Sequence, residues 1–460
     1  MRILKLPDVW FLIGLLALTA GGAVALARPE ATDAESRRMS YSRHPWQAAF
    51  DALSATCGAG LLTYDYAEDY TPRGRRILTL LGVAGAALYL AAAAHALRRI
   101  RVAGVPTRVP HPLLVVAAFV VVQAAAVGAY LLASRAGPAT DAPSLTEAPL
   151  RAVAAFSSLG WATSAEQSTA AWPLTLLAWV GALGWPMWFA PVAPLARRFG
   201  RRRTTLAVAG GYVAALLVAA VLIAGFEAPR GMMGRDGPHT HAARQTFSGR
   251  FVRALHQTTA ASAAGLPTEP LDGANATDAT KVTLALLLIV GGLGGSATGG
   301  VQWPLLLWAA AGALGALGWL GSRRPAPDVA RWMHAGLACV VIGLLLAGVV
   351  AGGMLLLENI AASPYQPAPT FADAFLDAAS ITAGGGLTTG VVDAVTGPQL
   401  EVGIGRKVSL YAYGMVWLMF GLLAGRMVPL MILRRVGSLA QRDPARKMGP
   451  VGLEPTTNGL

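Results

Sequence analysis

The sequence predicts an all-α integral membrane protein built from four helix–short helix–helix repeats, with about eight transmembrane helices. Three observations carry this expectation. The chain is 54% hydrophobic and only 13% charged, where a soluble domain carries roughly a quarter charged residues. Its mean hydropathy of +0.51 is concentrated in apolar runs of about 20 residues, the length that crosses a ~30 Å hydrocarbon layer. Between these runs lies a recurrent short, semi-apolar segment of about ten residues ending in glycine, too short to span and therefore read as a helix that dips in and turns back.

The formal charge of +13 is clustered. Arg98, Arg99 and Arg101 follow one apolar run, and Arg197, Arg198 and Arg201 to Arg203 another. Arg323, Arg324 and Arg331 occupy a third connection, and Arg434 and Arg435 close a fourth. Such clusters mark cytoplasmic loops, so the basic balance records topology and excludes a nucleic-acid partner. The bilayer itself is the expected surrounding. The first apolar run, Leu6 to Leu26, is long enough for a retained span with its amino end inside, rather than a signal peptide. Both termini are then cytoplasmic, in a cell inner (plasma) membrane. The two cysteines, Cys57 and Cys339, imply no disulfide framework.

The short segments follow in order. His44 to Cys57 opens with Pro45, suited to a first helical turn, and places Trp46, Phe50 and Leu53 on one helical face. The second is "LRAVAAFSSLGW", Leu150 to Trp161; the third is "FVRALHQTTAASAAGL", Phe251 to Leu266. The fourth, "FADAFLDAASITAGGGLTTG", runs from Phe371 to Gly390 with Phe371 and Phe375 one turn apart. Their glycines, Gly60, Gly160, Gly265 and Gly386, recur about every 100 to 120 residues, an internal period. Repeats of about 1–100, 101–203, 204–324 and 325–436 form one domain over 1–446, and 447–460, polar and turn-rich, is expected to be a disordered tail.

Backbone carbonyls exposed within a bilayer are costly unless they line water or an ion path. Four glycine turns meeting on one axis form a ring of carbonyl oxygens able to replace a cation's hydration shell. The carboxyl ends of the short helices aim their negative dipole ends at the same axis. Small residues permitting close helix packing are the alternative reading of each turn. The residues of the expected ring are Cys57, Gly58, Ala59 and Gly60; Ser158, Leu159 and Gly160; Ala263, Ala264 and Gly265; and Gly384, Gly385 and Gly386.

These residues resemble the Trk/Ktr/HKT superfamily of potassium transporters, from about Trp46 to Leu433. "SATCGAGLLTYDYAEDYTPRG" is similar to that family's first filter and the segment after it. "GGLGGSATGGVQ", Gly291 to Gln302, resembles its glycine-rich helix break, and "GGGLTTG" with "GRMVPL" resembles the fourth filter and the last helix. The resemblance implies a four-repeat fold around a central ion pore, with K+ as the transported ion at Gly60, Gly160, Gly265 and Gly386. It also implies an intramembrane gating loop at Gly291, Gly292, Gly294, Gly295, Ser296, Gly299 and Gly300, with Arg426 beside it beneath the filter. A homodimer and a cytoplasmic nucleotide-binding regulatory subunit are implied partners. The chain departs from the family pattern in carrying Gln302 for a lysine, Val428 for a glycine and Ser262 for an arginine.

Other chemistries fit less well. The glycine run ends Gly299-Gly300-Val301-Gln302, not in the Gly-Lys-Ser/Thr of a phosphate loop, so a discontinuous helix or a packing break is expected there. Arg426 precedes Arg434 by about two turns, which makes it intramembrane and in need of a partner or wet cavity, unless it snorkels. Asp65, Glu68 and Asp69, just outside the first filter, are either a cation-concentrating mouth or a solvated loop. The scattered histidines suggest no metal site, and no nucleophile–base pair suggests an enzyme or a cofactor. Potassium uptake is the leading expectation. A non-conducting membrane scaffold or sensor, or a sodium-permeable variant, is the alternative.

Overall fold

The computed structural model describes residues 7–33, 45–63, 66, 69–98, 111–136, 147–157, 159, 173–174, 176–181, 202–228, 246–264, 271, 276–292, 327–361, 369–385, 387–389 and 404–441. Among them every regular element is helical, and Thr32 and Tyr70 form one isolated antiparallel bridge. The protein is an all-α, multi-pass membrane protein, as the apolar runs predict. Five described helical stretches are long and apolar enough to cross a bilayer: Asp8–Leu26, Pro72–Ala96, Pro112–Leu132, Leu337–Leu357 and Gly414–Ile432. Their outward faces carry Ile13, Val24, Leu113, Val121, Leu132, Leu345 and Phe420, all exposed. Water would penalise such a surface, whereas acyl chains do not.

The first unit comprises α1 (Pro7–Leu26), the short α2 (Pro45–Cys57) and α3 (Pro72–Arg98). The second contains α4 (Pro112–Ala136) and the short α5 (Glu147–Phe156). The third contains α6 (Arg202–Phe226), the short α7 (Phe247–Thr259) with a π-helical turn at Ala260–Ala264, and α8 (Asp278–Leu287) with a second π turn at Leu288–Gly292. The fourth contains α9 (Pro327–Ala361), the short α10 (Phe371–Ala383) and α11 (Ile404–Gln441). Proline opens α1, α2, α3, α4 and α9, where its missing N–H is not needed and its fixed φ suits the first turn. Thr246, Thr277 and Thr370 cap α7, α8 and α10 by accepting backbone N–H bonds.

The units pack in chain order and close on themselves. Helix α3 lies against α4 and α5, α5 touches the π turn at Ala260–Ala264, α8 packs on α10, and α11 returns to α1, α2 and α3. Arg434 on α11 pairs with Asp8 at the start of α1, which brings the ends of the first and last described helices together. The same circuit encloses the short helices α2 and α10, which are buried along most of their length.

Trp46, Phe50 and Leu53 lie in one continuous helix as expected, but α2 is buried on nearly every side from Gln47 to Cys57, while Trp46 is 44% exposed. A helix ringed by spans has no solvent face to keep polar, so Asp51, Ser54 and Thr56 are buried as fully as Phe50. Phe371 and Phe375 do stack one turn apart, at 5.6 Å between centroids. The short helices also begin earlier than expected in the second and third units, at Glu147 and Phe247; for α7 the Thr246 cap sets the start.

Candidate functional site

The ends of the short helices define the site. Helix α2 stops at Cys57 because Gly58 takes a left-handed φ of +66°, and α10 stops at Ala383 because Gly384 takes +73°. A Cβ disfavours this region, so glycine is the residue that turns the chain. The same reverse closure recurs in three units: the N–H of Ala59 donates to Ser54, that of Leu159 to Ala154, and that of Gly385 to Ser380, at 2.9 to 3.0 Å. Gly60 is left-handed as well, at +68°. The third unit is different, because α7 continues into the π turn over Ala260–Ala264.

These ends converge. A Cβ on Gly58 would lie 3.9 Å from the Ser157 carbonyl of the second unit, and one on Gly384 would lie 3.3 Å from the Cys57 carbonyl of the first. A Cβ on Gly385 would collide with Leu288, in the π turn after α8 of the third unit. Into this convergence α11 sends Arg426, which is only 6% exposed. Its Nη2 donates to the Cys57 carbonyl, and its guanidinium carbon lies 5.4 Å from the centroid of the Tyr89 ring. The space a side chain on Gly384 would take is filled by the same guanidinium. Arg426 therefore does not snorkel. It finds the Cys57 carbonyl at a helix carboxyl end and an aromatic face, the kind of partners that a charge within a bilayer requires.

Two units seat their short helices alike. The buried carboxylate of Asp51 accepts from the Thr63 N–H and hydroxyl, both at 2.8 Å, and from the Tyr70 hydroxyl at 2.5 Å. Asp377 accepts from the Thr389 N–H at 2.6 Å and from the Thr388 and Thr389 hydroxyls at 2.9 and 3.1 Å. Thr56 and Thr382 each bond back to the carbonyl four residues earlier, while their own carbonyls sit directly on Gly85 of α3 and Gly425 of α11. A methyl at either glycine would strike that carbonyl. Gly85→Leu and Gly425→Leu are each expected to cost about 3 kcal/mol or more by overpacking against rigid backbone, read as a lowered thermal midpoint in detergent. Gly128→Leu, whose position meets nothing within 4 Å, is the control expected to change little.

The second and third units use the preceding span instead. Gln123 on α4 donates to Ser157 at 2.7 Å, and the Tyr212 hydroxyl on α6 bonds the Ser262 hydroxyl at 2.9 Å. Trp179 reaches across to Thr259 at 3.1 Å.

Among the expected ring residues, Cys57, Gly58, Ala59, Gly60, Leu159, Gly384 and Gly385 are described, and Ala59 and Leu159 are fully buried. The backbone of Ala263 and Ala264 lies in the π turn. Ser158, Gly160, Gly265 and Gly386 lie outside the described residues. Gly291 and Gly292 end the π turn after α8; Gly294, Gly295, Ser296, Gly299 and Gly300 lie outside, as do Gln302, Asp65 and Glu68. The carbonyl of Asp69 accepts the Asp33 N–H at 2.8 Å. The sequence reading passed over Asp51 and Asp377. Their signal was present in the matching Asp-x-x-Ser-x-Thr runs, Asp51 to Thr56 and Asp377 to Thr382.

A second polar cluster lies at the amino ends of α8 and α10. Lys281, 1% exposed, sits 2.5 Å from Asp373 and 3.9 Å from Asp278. Thr370 and Asp373 form a reciprocal capping box. Glu227 accepts from the Thr277 N–H and the Thr280 hydroxyl, fastening α6 to α8.

Two short helices that end at converging left-handed glycines, set among apolar spans, define a multi-pass membrane protein. The particular similarity is to the crystal structure of the potassium transporter TrkH from Vibrio parahaemolyticus. The TM-score is 0.58 and the identity 17%, over 93% of this chain and 84% of that one. No protein-family model matches the chain, and no curated protein matches it.

Proposed function

We propose that this chain carries potassium ions across the cytoplasmic membrane through a ring of backbone carbonyls at Gly60, Gly160, Gly265 and Gly386. The observation that carries the reading is the convergence of three short-helix ends, two of which meet Arg426, with the Cys57 carbonyl at the meeting point. Carbonyls and helix carboxyl ends there favour a cation, and the likeness to TrkH supports potassium. Gly291 to Gly300 serve as the gating loop beneath the ring, and Arg426 adds a fixed positive charge. The protein has one four-repeat domain, both ends cytoplasmic, and works as a homodimer with a cytoplasmic nucleotide-binding regulator. It carries no cofactor and is not an enzyme.

The test is flux into liposomes with potassium, rubidium or sodium as the sole permeant cation. Potassium and rubidium are expected to pass. Gly60→Asp is expected to abolish their flux, because it forces a side chain into a φ of +68° and a carboxylate into the ring. Sodium passing as fast as potassium would favour the sodium-permeable variant. Absence of flux for every cation would favour a non-conducting scaffold.

A further inference from the structure

We infer that Asp51 and Asp377 are specificity-determining positioning residues, which discriminate potassium from sodium by bracing the chain just outside the first and fourth filter glycines. The inference rests on the uptake reading above and names residues that reading does not use. Each carboxylate is fully buried in its short helix. Each reaches forward over the filter turn to a threonine N–H, Thr63 from Asp51 and Thr389 from Asp377, and each also takes that threonine's hydroxyl. The sequence interval from carboxylate to threonine is identical in the two units. The turn between them contains the residues whose carbonyls form the ring. Its near end is fixed by the reverse closure at Ala59 or Gly385, and its far end by the carboxylate.

Such a strut has a direct bearing on selectivity. Sodium is the smaller ion, so a ring that contracts freely will accept it, while a ring held open pays no contraction for potassium. Charge-assisted bonds to a buried carboxylate are about twice as strong as neutral ones, and a loosened segment loses that resistance. Tyr70, 1% exposed, bonds the Asp51 carboxylate from behind and stiffens the first strut further. Counted back from Gly160 and Gly265 by the Asp51-to-Gly60 interval, the second and third units carry Arg151 and His256. Arginine offers no acceptor for a backbone N–H. Carboxylate bracing of this kind thus belongs to the first and fourth units, which are neighbours through α11 and α2.

The experiment measures rubidium and sodium influx into liposomes for the full chain and for Asp51→Asn and Asp377→Asn, each checked for a monodisperse folded peak. Asparagine keeps the shape and removes the charge. The rubidium-to-sodium flux ratio is expected to fall by about tenfold in each variant, the size of one charge-assisted hydrogen bond, because sodium flux rises. If an Asn variant does not fold, Thr63→Val and Thr389→Val, which remove one hydroxyl and keep the N–H, are expected to lower the ratio by a smaller factor. An unchanged ratio, or rubidium and sodium fluxes that fall together, overturns the inference and leaves the uptake reading standing. A wild-type chain that passes no cation overturns the uptake reading itself, and this inference with it.

Discussion

Replacing Arg426 with alanine is expected to raise cation flux at least tenfold while leaving the protein folded and inserted. The guanidinium donates to the Cys57 carbonyl and occupies the space beside Gly58 and Gly384, and under the uptake reading proposed above it stands where a cation leaving the ring would pass. A fixed unit charge roughly 6 Å away repels a cation by roughly 3 kcal/mol at an effective dielectric near 20. Removing it lowers the barrier by a share of that amount, and about 1.4 kcal/mol already gives tenfold. Arg426→Lys, which keeps the charge, is expected to stay near the wild-type rate. The measurement is rubidium uptake into liposomes, with size-exclusion profiles as the control for folding. Equal or lower flux in Arg426→Ala would mean that the guanidinium only seals the packing between α2, α10 and α11.

A large stability effect is also expected from Lys281→Met. Lys281 is buried against Asp373 at 2.5 Å and fastens α8 to the amino end of α10. Breaking a buried pair by removing one partner costs about 3–5 kcal/mol, since the remaining charge is left uncompensated. Asp373 keeps 14% of its side chain exposed, which places the cost near the lower figure, a drop in thermal midpoint of about 5 °C or more. The pH dependence has a definite sign. Burial by itself pushes the Asp373 carboxyl up, but the bonds from Lys281 and Thr370 outweigh it and hold the group below its ordinary 3.8. A folded value below the unfolded one gives a contribution that is present above about pH 3.8 and lost as pH falls through the folded value. The difference between wild type and Lys281→Met is therefore expected to be full at neutral pH and to shrink below about pH 3.8. Thermal melts at a series of pH values check it, and a gap that widens in acid would contradict the pairing. Lys281→Met with Asp373→Asn is expected to recover part of the loss, because no bare carboxylate remains.

Much of this architecture was legible because a bilayer simplifies the code. Leu6 to Leu26 reads as a span from length and apolarity alone, and α1 runs from Pro7 to Leu26. That the fourth short helix ends in its glycine run was legible because few residues other than glycine tolerate a φ of +73°, although the turn falls at Gly384 where the sequence pointed to Gly386. The all-round burial of α2 was not legible, for a related reason. Helical periodicity reports a boundary between apolar and polar surroundings, and α2 has protein on nearly every side, so Asp51 and Phe50 fall in equally buried places.

Asp51, Gly85 and Lys281 show what composition hides. As single residues they read as a polar residue in a short helix, a small residue in a span, and a charge after a loop. Their meaning lies in partners far along the chain or across it: Thr63, the Thr56 carbonyl and Asp373.

By itself the sequence determined that the chain lives in a bilayer and where the described spans lie, since hydropathy is a local property. Only the tertiary structure decided that Arg426 meets the Cys57 carbonyl, that Gly85 and Gly425 seat the first and fourth short helices, and that two buried aspartates brace the turns. Those choices depend on which helices become neighbours. Hydrogen bonds and close contacts act over a few ångströms, and the chain separations they bridge leave no periodic trace.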